Sequence, residues 1–496
     1  MSDRERETGV ADVIVIGGGT GGYSTALRAA ALGLDVVLAE RDLVGGTCLH
    51  RGCVPSKAML HAAELVDGVS EARERWGVNA RVESVDWAAL TATRDDIVAR
   101  NHRGVEGHLE RAGVRVLRGT ATLTGPRAVR VESHGPWRAR RGIVLATGSR
   151  PRRLPGLEPD GRRVVTSDDA LFAPGLPGSV LVIGGGAIGV EYASLHRSMG
   201  AEVTLVESAD HLLPLEDADV GRHLTRGLKK RGVAVWTGAR CESARPHAQG
   251  VRVTVGAARG AARHLDVERV LVAVGREPVT EGLGLAAAGL AVDARGHVAP
   301  ADWTRLETAV PGVHVVGDLL PPPSPGLAHA SFAEGLLVAE TLAGHAPRPI
   351  DYAAVPRVTY SSPQTASVGL TERDARERGH QVVTNTLPLT ATAKGMVHGQ
   401  GGLVKIVAER GPEPTAGPRP TGDGQHPGNG AAGVGTVLGV HLVGPHVSEM
   451  IAEGQLIVGW EADPFDVAQH IHPHPTLSEA VGEAFLTLAG RGLHQH

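Results

Sequence analysis

The sequence predicts an α/β protein with several domains. Three observations support this fold class: the chain has 496 residues, 67 of them are glycine, and short runs of Val, Leu and Ala repeatedly end on glycine turns. Helical spacing follows the two most glycine-rich turns, as expected where strands and helices alternate. A chain of this length exceeds what one hydrophobic core normally supports, so we expect about three domains.

The composition excludes some classes of function. Acidic residues number 54 and basic residues 50, so no bulk charge favours nucleic acid or an anionic membrane. The three cysteines indicate a reducing compartment. No apolar run reaches membrane-spanning length, and the N-terminus lacks the layout of a signal peptide. We therefore expect a soluble cytoplasmic protein that binds neither nucleic acid nor membrane.

The first glycine-rich turn lies between two short apolar runs. Strand, glycine turn, helix, strand and acid follow in that order, at residues 12–16, 17–22, 23–32, 34–39 and Glu40. A lone Gly-x-Gly-x-x-Gly is a weak signal, but the complete order is the fingerprint of a dinucleotide-binding fold.

Each glycine of this fingerprint has a separate role. Gly17 makes the tight turn, Gly19 lets the backbone approach a pyrophosphate, and Gly22 allows the helix to pack closely on the strand. The start of the helix offers N–H groups to phosphates. Glu40 is placed to accept hydrogen bonds from ribose hydroxyls.

The fingerprint recurs later in the chain. Apolar residues 180–183 lead to the glycine turn 184–189, a helical segment through His196, a strand at 203–206 and Glu207. The first glycine and the acid are 23 positions apart in both copies. Both copies end in glutamate, and no arginine occupies positions 208–213. Because a carboxylate repels a 2′-phosphate, we predict one FAD site and one NAD site.

Two of the cysteines, Cys48 and Cys53, lie in the stretch 45–57. A disulfide between them would close a very short loop and stabilise the chain little, so we interpret the pair as redox-active. Arg51, Lys57 and a nearby helix start would favour reactive thiolates. The alternatives are that the two cysteines are unpaired core residues or form half of a zinc site. A zinc site would need further Cys or His ligands at short spacing, and Cys241 alone is a poor candidate.

Three further strands end on small-residue turns. Segments 143–149 and 270–278 resemble each other and are interpreted as the returns out of each nucleotide domain. The strand at 313–316 ends on Gly317 and Asp318, and this carboxylate either binds a sugar or ribityl hydroxyl or caps a turn. Ala328 and His329 then open a helix that extends to residue 343.

From residue 351 the pattern indicates a separate C-terminal α+β domain. We expect strands at 357–360, 404–407 and 437–443, and helices near 371–378 and at 448–460 and 478–488. Segment 411–435 interrupts this domain. Because 13 of its 25 residues are Gly or Pro, we predict a disordered hairpin tip.

The last reactive stretch surrounds His474. Two prolines fix the backbone on either side of its imidazole, and a histidine held by a carboxylate such as Glu479 is a common acid/base device near neutral pH. However, Thr476 and Glu479 also have the spacing of a capping box, which would make His474 an ordinary loop residue. The residues alone leave both interpretations open.

Together these motifs resemble those of the pyridine nucleotide–disulfide oxidoreductases, from about residue 11 to the C-terminus. The motifs are GGTCLHRGCVPSK at 45–57, both fingerprints, ATGS at 146–149, GRxP at 275–278, GD at 317–318, LAHASFAEG at 327–335 and HPHPTLSEA at 472–480. Within the family, the resemblance is closest to bacterial members of the actinobacterial type that oxidise protein-bound dihydrolipoamide with NAD.

The resemblance implies roles for the reactive side chains. Cys53 would lie beside the flavin and form the charge-transfer pair, and Cys48 would exchange with the substrate disulfide. His474, oriented by Glu479, would move the protons of the dithiol. This histidine would come from the other subunit of a homodimer.

The resemblance also implies two cofactor sites and no metal site. Lys57 would lie near the flavin and pair with Glu191, where the nicotinamide stacks. The residues implied at FAD are Gly17, Gly19, Gly22, Glu40, Thr47, Lys57, Gly119, Thr147, Gly148, Ser149, Asp318, Leu327, Ala328 and His329. The residues implied at NAD are Gly184, Gly186, Ile188, Gly189, Glu191, Glu207 and Gly275.

The expected domains are residues 1–151 for FAD, 152–279 for NAD, 280–350 completing the FAD domain, and 351–496 for dimerisation. Three features depart from the family pattern: the 411–435 insertion, Pro473 and Val279. None of them removes a chemical group that the reaction needs.

The implied reaction is the oxidation of dihydrolipoamide to lipoamide within a 2-oxo acid dehydrogenase complex. Because the chain carries no lipoyl domain of its own, we expect its partner to be the lipoyl domain of an acyltransferase or glycine-cleavage subunit.

Other activities stay open. Mercuric reductases would add a C-terminal cysteine pair, and glutathione reductases usually prefer NADPH, which Glu207 disfavours. Mycothione reductases also remain. A flavoprotein subunit that only docks, or a redox sensor, is an alternative of a different class. For Cys241 we expect a lone buried thiol beside the second nucleotide site.

Overall fold

The computed structural model describes residues 9–257, 261–411 and 433–494. The chain divides into two units. Unit 1 consists of Met1–Leu154, Thr166–Gly175 and Gly275–Tyr352, and unit 2 of Pro155–Val165, Leu176–Val274 and Ala353–His496. No helix in the described ranges is long and apolar enough to cross a membrane.

The strands follow one another through both units. In chain order they are β1 (Val10–Ile16), β2 (Val36–Glu40), β3 (Arg115–Arg118), β4 (Ala121–Gly125), β5 (Ala128–Val131), β6 (Gly135–Leu145), β7 (Ser149–Pro151), β8 (Val164–Val165), β9 (Ser179–Ile183), β10 (Glu202–Val206), β11 (Ala234–Trp236), β12 (Ala239–His247), β13 (Gly250–Ala257), β14 (Arg263–Val267), β15 (Arg269–Val272), β16 (Arg276–Pro278), β17 (Val313–Val315), β18 (Arg357–Thr359), β19 (Gln364–Gly369), β20 (Val382–Pro388), β21 (Leu403–Glu409) and β22 (Val437–Gly444).

The α-helices are mostly short, with two long exceptions. In chain order they are α1 (Thr20–Ala31), α2 (Gly46–His50), α3 (Cys53–Trp76), α4 (Trp87–Arg111), α5 (Ser167–Leu171), α6 (Ala187–Ser198), α7 (Ala218–Lys230), α8 (Ala328–Ala343), α9 (Glu372–Glu377), α10 (Ala393–His398), α11 (Val447–Gly459), α12 (Pro464–Ala468) and α13 (Glu479–Leu488). A 3₁₀ turn, Gly317–Leu319, follows β17.

Unit 1 is built on a seven-stranded sheet. Its core is parallel: β1 pairs with β2 and β6, β3 extends the sheet beyond β2, and β17 pairs with β6. The strands β5 and β4 add an antiparallel edge. Val13, Ile14 and Val15 are fully buried, as expected for a parallel strand covered on both faces. Helix α1 provides the crossover that the parallel neighbours β1 and β2 require.

Unit 2 repeats this arrangement and then changes it. Its first sheet is parallel, in the order β11-β10-β9-β15-β8, and α6 connects β9 to β10 as α1 connects β1 to β2. The strands β12, β13 and β14 form a separate antiparallel sheet.

The C-terminal part of unit 2 is an antiparallel sheet in the order β18-β19-β22-β21-β20. Its buried core includes Phe485 of α13, and Val447 and Ile451 of α11. These sheets confirm the predicted fold class, with two dinucleotide-binding folds and an α+β part that follows them. The boundaries of the four predicted segments stay predictions. Most of the 411–435 segment, residues 412–432, lies outside the described residues, and so does the predicted disorder.

Candidate active site

The first glycine turn can be built only from glycine at two positions. Gly17 has φ +102°, and a Cβ on it would lie 2.3 Å from the carbonyl oxygen of Ala146. A Cβ on Gly22 would lie 1.9 Å from the carbonyl oxygen of Gly17. A Cβ on Gly19 would meet nothing within 4 Å, so the backbone there is open to a ligand. The turn therefore fits a pyrophosphate that approaches at Gly19.

The N-terminus of α1 completes this cradle. The helix begins at Thr20 with no side-chain cap and no acidic residue in its first turn, so its N–H groups are available to phosphate. Glu40 at the end of β2 accepts hydrogen bonds from the backbone N–H groups of Gly18 at 2.6 Å and Asp42 at 2.7 Å. A cavity of about 370 Å³ lies beside Glu40 and is also lined by Arg118, which gives room for the adenosine end of a dinucleotide.

The second glycine turn repeats this geometry. Gly184 has φ +108°, its Cβ would lie 2.3 Å from the oxygen of Ala273, and a Cβ on Gly189 would lie 1.9 Å from the oxygen of Gly184. A Cβ on Gly186, which precedes α6, would again meet nothing within 4 Å. Glu207 accepts from the N–H of Gly185 at 2.6 Å, as Glu40 does from Gly18. Both turns therefore fit dinucleotides.

The loop that carries the cysteines lies directly on the first glycine turn. The N–H of Gly45 donates to the oxygen of Gly18 at 2.7 Å, and a Cβ on Gly46 would lie only 2.6 Å from Cα of Gly19. Cys48 belongs to the short helix α2, and Cys53 is the first residue of the 24-residue helix α3. Two glycines in left-handed conformation thus bring both cysteines to the predicted FAD site.

The Cys48 and Cys53 side chains hydrogen-bond to each other. This hydrogen bond, together with burial and the negative charge of Cys53, raises the pKa of the Cys48 thiol, while the charge of Lys57 opposes the shift. In the reduced pair these effects favour a proton on Cys48. The start of α3 at Cys53 favours a thiolate there, because a helix N-terminus stabilises negative charge.

Tyr23 on α1 lies close enough to the two sulfur atoms for their charges to affect the pKa of its hydroxyl. Burial raises the pKa of its hydroxyl to about 12, and the charges of Cys48 and Cys53 contribute to the shift. The Tyr23 ring contacts Phe332 edge to face, with 5.7 Å between ring centroids. Sequence reasoning placed Tyr23 only on the helix, because nothing in its spacing points to the cysteines.

Three separate predicted motifs meet at Ser149. Its hydroxyl donates to Asp318 and accepts from Nε of Arg276 at 2.7 Å. The Arg276 guanidinium lies 3.9 Å from the Asp318 carboxylate. Nearby, the Thr147 hydroxyl donates to the oxygen of Val279 at 2.6 Å. The structure therefore joins the ATGS, GRxP and GD motifs within unit 1.

The other residues predicted at FAD also lie in unit 1. Gly148 has φ +70°, and Gly119 has φ +155° and donates its N–H to the oxygen of Glu40 at 2.9 Å. Thr47 is exposed on α2. Leu327 precedes the 16-residue helix α8, which Ala328 and His329 begin.

Of the residues predicted at NAD, Gly275 lies in unit 1 and the rest in unit 2. Glu191 is buried on α6 and accepts from the N–H of Tyr360 at 3.0 Å. Ile188 is half-buried in the first turn of the same helix. Lys57 and Glu191 belong to different units, so their pairing stays a prediction.

His474 and Glu479 form a hydrogen-bonded pair in unit 2. Nδ1 of His474 lies 2.7 Å from Oε1 of Glu479. The histidine side chain is 68% exposed and the carboxylate 18%, so the imidazole is held at its inner nitrogen and its Nε2 faces outward. This is the geometry of an acid/base pair.

The structure favours the histidine–carboxylate interpretation over the capping box. The Thr476 hydroxyl accepts from the N–H of Glu479 at 3.2 Å, but α13 begins at Glu479, with Ser478 as its N-cap and no side-chain cap. The Glu479 carboxylate, which a capping box would need, binds His474 instead. The spacing alone could not separate these arrangements.

A second histidine–carboxylate pair lies two residues away. Nε2 of His472 is 2.6 Å from Oε1 of Glu453 on α11, and this hydrogen bond raises the pKa of His472. The ring lies against α13, because a Cβ on Gly482 would be 2.3 Å from its Nδ1. Sequence reasoning missed this pair, since Glu453 lies 19 positions away.

Cys241 is half-buried on β12 rather than fully buried, which corrects the expectation of a buried thiol. Its Sγ lies 3.6 Å from the oxygen of Ser243, and burial raises its pKa to about 11. The thiol lies on β12, which is an edge strand of the β12-β13-β14 sheet. Within the described ranges, no group of three or more His, Cys, Asp or Glu side chains could hold a metal ion.

Two dinucleotide folds and a dithiol on one of their glycine turns define the class of disulfide oxidoreductases that use FAD and a nicotinamide dinucleotide. Residues 11–335 match the family described as pyridine nucleotide-disulphide oxidoreductase, and residues 355–423 and 431–485 match its dimerisation domain. The chain belongs to the pyridine nucleotide-disulphide oxidoreductase family.

Relatives of known name agree over almost the whole length. The chain is 37% identical to a dihydrolipoyl dehydrogenase of Bacillus subtilis, covering 97% of this chain and 99% of the relative. It is 40% identical to that of Thermus scotoductus, covering 97% and 98%. Among solved structures, LpdA from Mycobacterium tuberculosis matches with a TM-score of 0.81 at 26% identity, covering 96% of this chain and 99% of that one. The flavoprotein disulfide reductase RclA from Escherichia coli matches with a TM-score of 0.78 at 25% identity, covering 96% and 99%.

Proposed function

We propose that this protein acts as a dihydrolipoyl dehydrogenase, which oxidises protein-bound dihydrolipoamide to lipoamide with NAD⁺. The observation that carries the proposal is the Cys48–Cys53 pair, whose loop is hydrogen-bonded to the first glycine turn. The full-length similarity to dihydrolipoyl dehydrogenases supports the choice of substrate.

The cofactor sites in this proposal are the two glycine turns. FAD bound at the first turn would supply a two-electron acceptor for the thiols, and NAD⁺ bound at the second would supply the final two-electron acceptor. Asp318 binds a ribityl or sugar hydroxyl, and Glu40 and Glu207 bind the adenosine riboses. The other residues predicted to bind FAD or NAD line the corresponding site.

The thiol step is an exchange at Cys48. A thiolate of dihydrolipoamide attacks Sγ of Cys48 in the Cys48–Cys53 disulfide, the disulfide breaks, and Cys53 leaves as a thiolate. The second substrate sulfur then attacks the first one in the mixed disulfide, which releases lipoamide and Cys48. Two electrons have moved from the substrate dithiol to the cysteine pair.

His474 manages the two protons of the dithiol. Because Glu479 holds Nδ1, the outward Nε2 takes the proton from the attacking thiol. One proton ends on Cys48, whose pKa is raised by its hydrogen bond to Cys53, and the other leaves to solvent from His474. The roles of Lys57 near the flavin and of Glu191 near the nicotinamide stay those that the family resemblance implies.

The wider assembly is also part of the proposal. The match of residues 355–423 and 431–485 to the dimerisation domain supports a homodimer in which His474 serves the cysteines of the partner subunit. The substrate arrives on the lipoyl domain of an acyltransferase or glycine-cleavage subunit. The cytoplasmic location rests on the small number of cysteines, and the FAD, NAD and dimerisation domains keep the boundaries predicted above.

The test is steady-state turnover of the purified holoprotein. We expect NADH to reduce lipoamide, and glutathione disulfide, mycothione and NADPH to give little activity. Cys48→Ser and Cys53→Ser should each abolish turnover while FAD stays bound, and Cys241→Ser should not change it. Full lipoamide activity in either of the first two variants would refute the proposal.

A further inference from the structure

A fully buried carboxylate lies in the helix that follows the Gly317–Asp318 turn. Glu334 on α8 is 0% exposed, and a buried charge is costly unless donors surround it. Its Oε2 accepts from the N–H of Gly317 at 2.6 Å, and its Oε1 accepts from the hydroxyls of Ser324 at 2.8 Å and Tyr352 at 3.1 Å. Three donors from three separate segments therefore converge on one side chain.

The first of these donors fixes the turn that presents Asp318. Gly317 has φ +71°, a left-handed conformation at the end of β17, and its N–H is the group that Glu334 holds. Asp318 follows at once, and its carboxylate meets the Ser149 hydroxyl and the Arg276 guanidinium. The hydrogen bond from Gly317 to Glu334 therefore fixes the backbone immediately before Asp318.

The same helix is locked against the first fingerprint. A Cβ on Gly335 would lie 2.2 Å from Oγ of Ser24 and 2.7 Å from the oxygen of Gly21 on α1. A Cβ on Gly21 would lie 2.9 Å from Cγ2 of Val316, the residue before Gly317. The dinucleotide helix, α8 and the turn therefore touch at one point, next to Glu334.

We propose that Glu334 is a positioning residue for the flavin, which holds the Gly317–Asp318 turn so that the Asp318 carboxylate faces the ribityl chain. This inference rests on the proposed function only in taking Asp318 as a ligand of FAD. Burial raises the pKa of Glu334, whereas the hydrogen bonds from Gly317, Ser324 and Tyr352 lower it, so these three donors are the contacts that favour its charged form.

The experiment measures the rate at which the full-length holoprotein releases FAD, and the rise in flavin fluorescence monitors the release. Glu334→Ala should release FAD about tenfold faster or more, because a hydrogen bond to a charged group is lost. Glu334→Gln should restore part of the loss, since the amide oxygen still accepts from Gly317 and the two hydroxyls can rotate. The matched control is Glu340→Gln on the same helix, whose carboxylate binds Arg28 at 2.6 Å near the surface, and which should release FAD at the rate of the original protein.

A double-mutant cycle shows whether Glu334 acts through Asp318. If it does, Glu334→Gln added to Asp318→Asn should change the release rate less than Glu334→Gln alone, because coupled residues are not additive. Fully additive effects, or an unchanged rate in Glu334→Ala, would overturn the proposal. If Glu334→Ala does not fold, Tyr352→Phe replaces it, with faster release expected and an unchanged rate counting against the inference. A failed lipoamide assay with normal FAD binding would refute the proposed function and leave this inference standing.

Discussion

The pair His474–Glu479 gives the sharpest test of the proposed proton transfer. The carboxylate holds Nδ1 at 2.7 Å and is itself mostly buried, with 18% of its side chain exposed. Glu479→Gln keeps the shape of the side chain but removes the charge that stabilises the imidazolium once Nε2 has taken the proton. The variant should therefore slow turnover without releasing FAD.

The magnitude follows from the kind of hydrogen bond that is lost. A hydrogen bond to a charged group contributes about 1.5–3 kcal/mol, and each ~1.4 kcal/mol in the barrier is a factor of ten in rate. We therefore expect kcat to fall about 10- to 150-fold in Glu479→Gln. Removing the base itself in His474→Gln should cost about 10²- to 10⁴-fold, and because Glu479 acts only through this histidine, the histidine variant should be the slower one.

The assay is the reduction of NAD⁺ by dihydrolipoamide at saturating concentrations of both. As an internal control, both variants should reduce ferricyanide with NADH at the original rate, because that reaction takes electrons from the flavin without the thiols. Glu449→Gln, an exposed carboxylate on α11, is the matched control variant and should leave both reactions unchanged. A Glu479→Gln enzyme with unaltered kcat, or one slower than His474→Gln, would contradict the proposed roles.

Three other predictions concern the scaffold. Gly22→Ala should lose FAD, because its Cβ would lie 1.9 Å from a backbone oxygen; stoichiometric flavin absorbance after gel filtration would contradict this. Lys405→Met should lower the free energy of unfolding in denaturant by about 3–5 kcal/mol, since the 3%-exposed ammonium binds three carboxylates. Lys405 also lowers the pKa of one of them, Glu372, so its stabilisation is present above the unfolded pKa of about 4.3 and is lost as the pH falls through the folded value; equal loss at every pH would be unexpected. The hydrogen bond to Glu453 raises the pKa of His472, so that stabilisation is present below the unfolded value of about 6.5 and is lost as the pH rises through the folded one. The melting temperatures of His472→Asn and the original protein should therefore differ at acid pH and converge at alkaline pH.

The sequence was enough to predict the helices whose caps and apolar spacing lie within the helix itself. Helix α8 was predicted at 328–343 and spans Ala328–Ala343, and α11 and α13 begin one residue from their predicted starts. Their caps and apolar spacing lie within each segment, so no distant contact is needed. In contrast, the sequence analysis did not predict the full lengths of α3 and α4, which are long helices with few buried side chains.

The candidate site could be predicted as motifs but not as contacts. The cysteine loop and the first glycine turn were each recognised, yet only the structure shows that Gly46 lies against Gly19. Glu334 was part of a recognised motif and received no role, because its donors Gly317, Ser324 and Tyr352 are set by tertiary packing. Residue types and spacing carry the chemistry, while the fold decides which groups meet.

The chain that follows each glycine turn differs, and only the first turn carries a pair of cysteines. Over the first turn, the N–H of Gly45 donates to the oxygen of Gly18 at 2.7 Å; over the second, the N–H of Leu213 donates to the oxygen of Gly185 at 2.8 Å. Both donors have positive φ, +106° and +52°, so the segment after each acid returns to its turn in the same way.

Beyond this shared hydrogen bond the two copies diverge. After Gly45 the chain forms α2 and α3, which carry the cysteine pair directly onto the turn. After Leu213 it continues to Asp217, which caps α7 and binds the buried Lys405, and so adds stability rather than a reactive group. The same scaffold therefore forms a glycine turn twice, but a cysteine pair lies only on the first one, which supports the proposal that FAD binds at the first turn and NAD at the second.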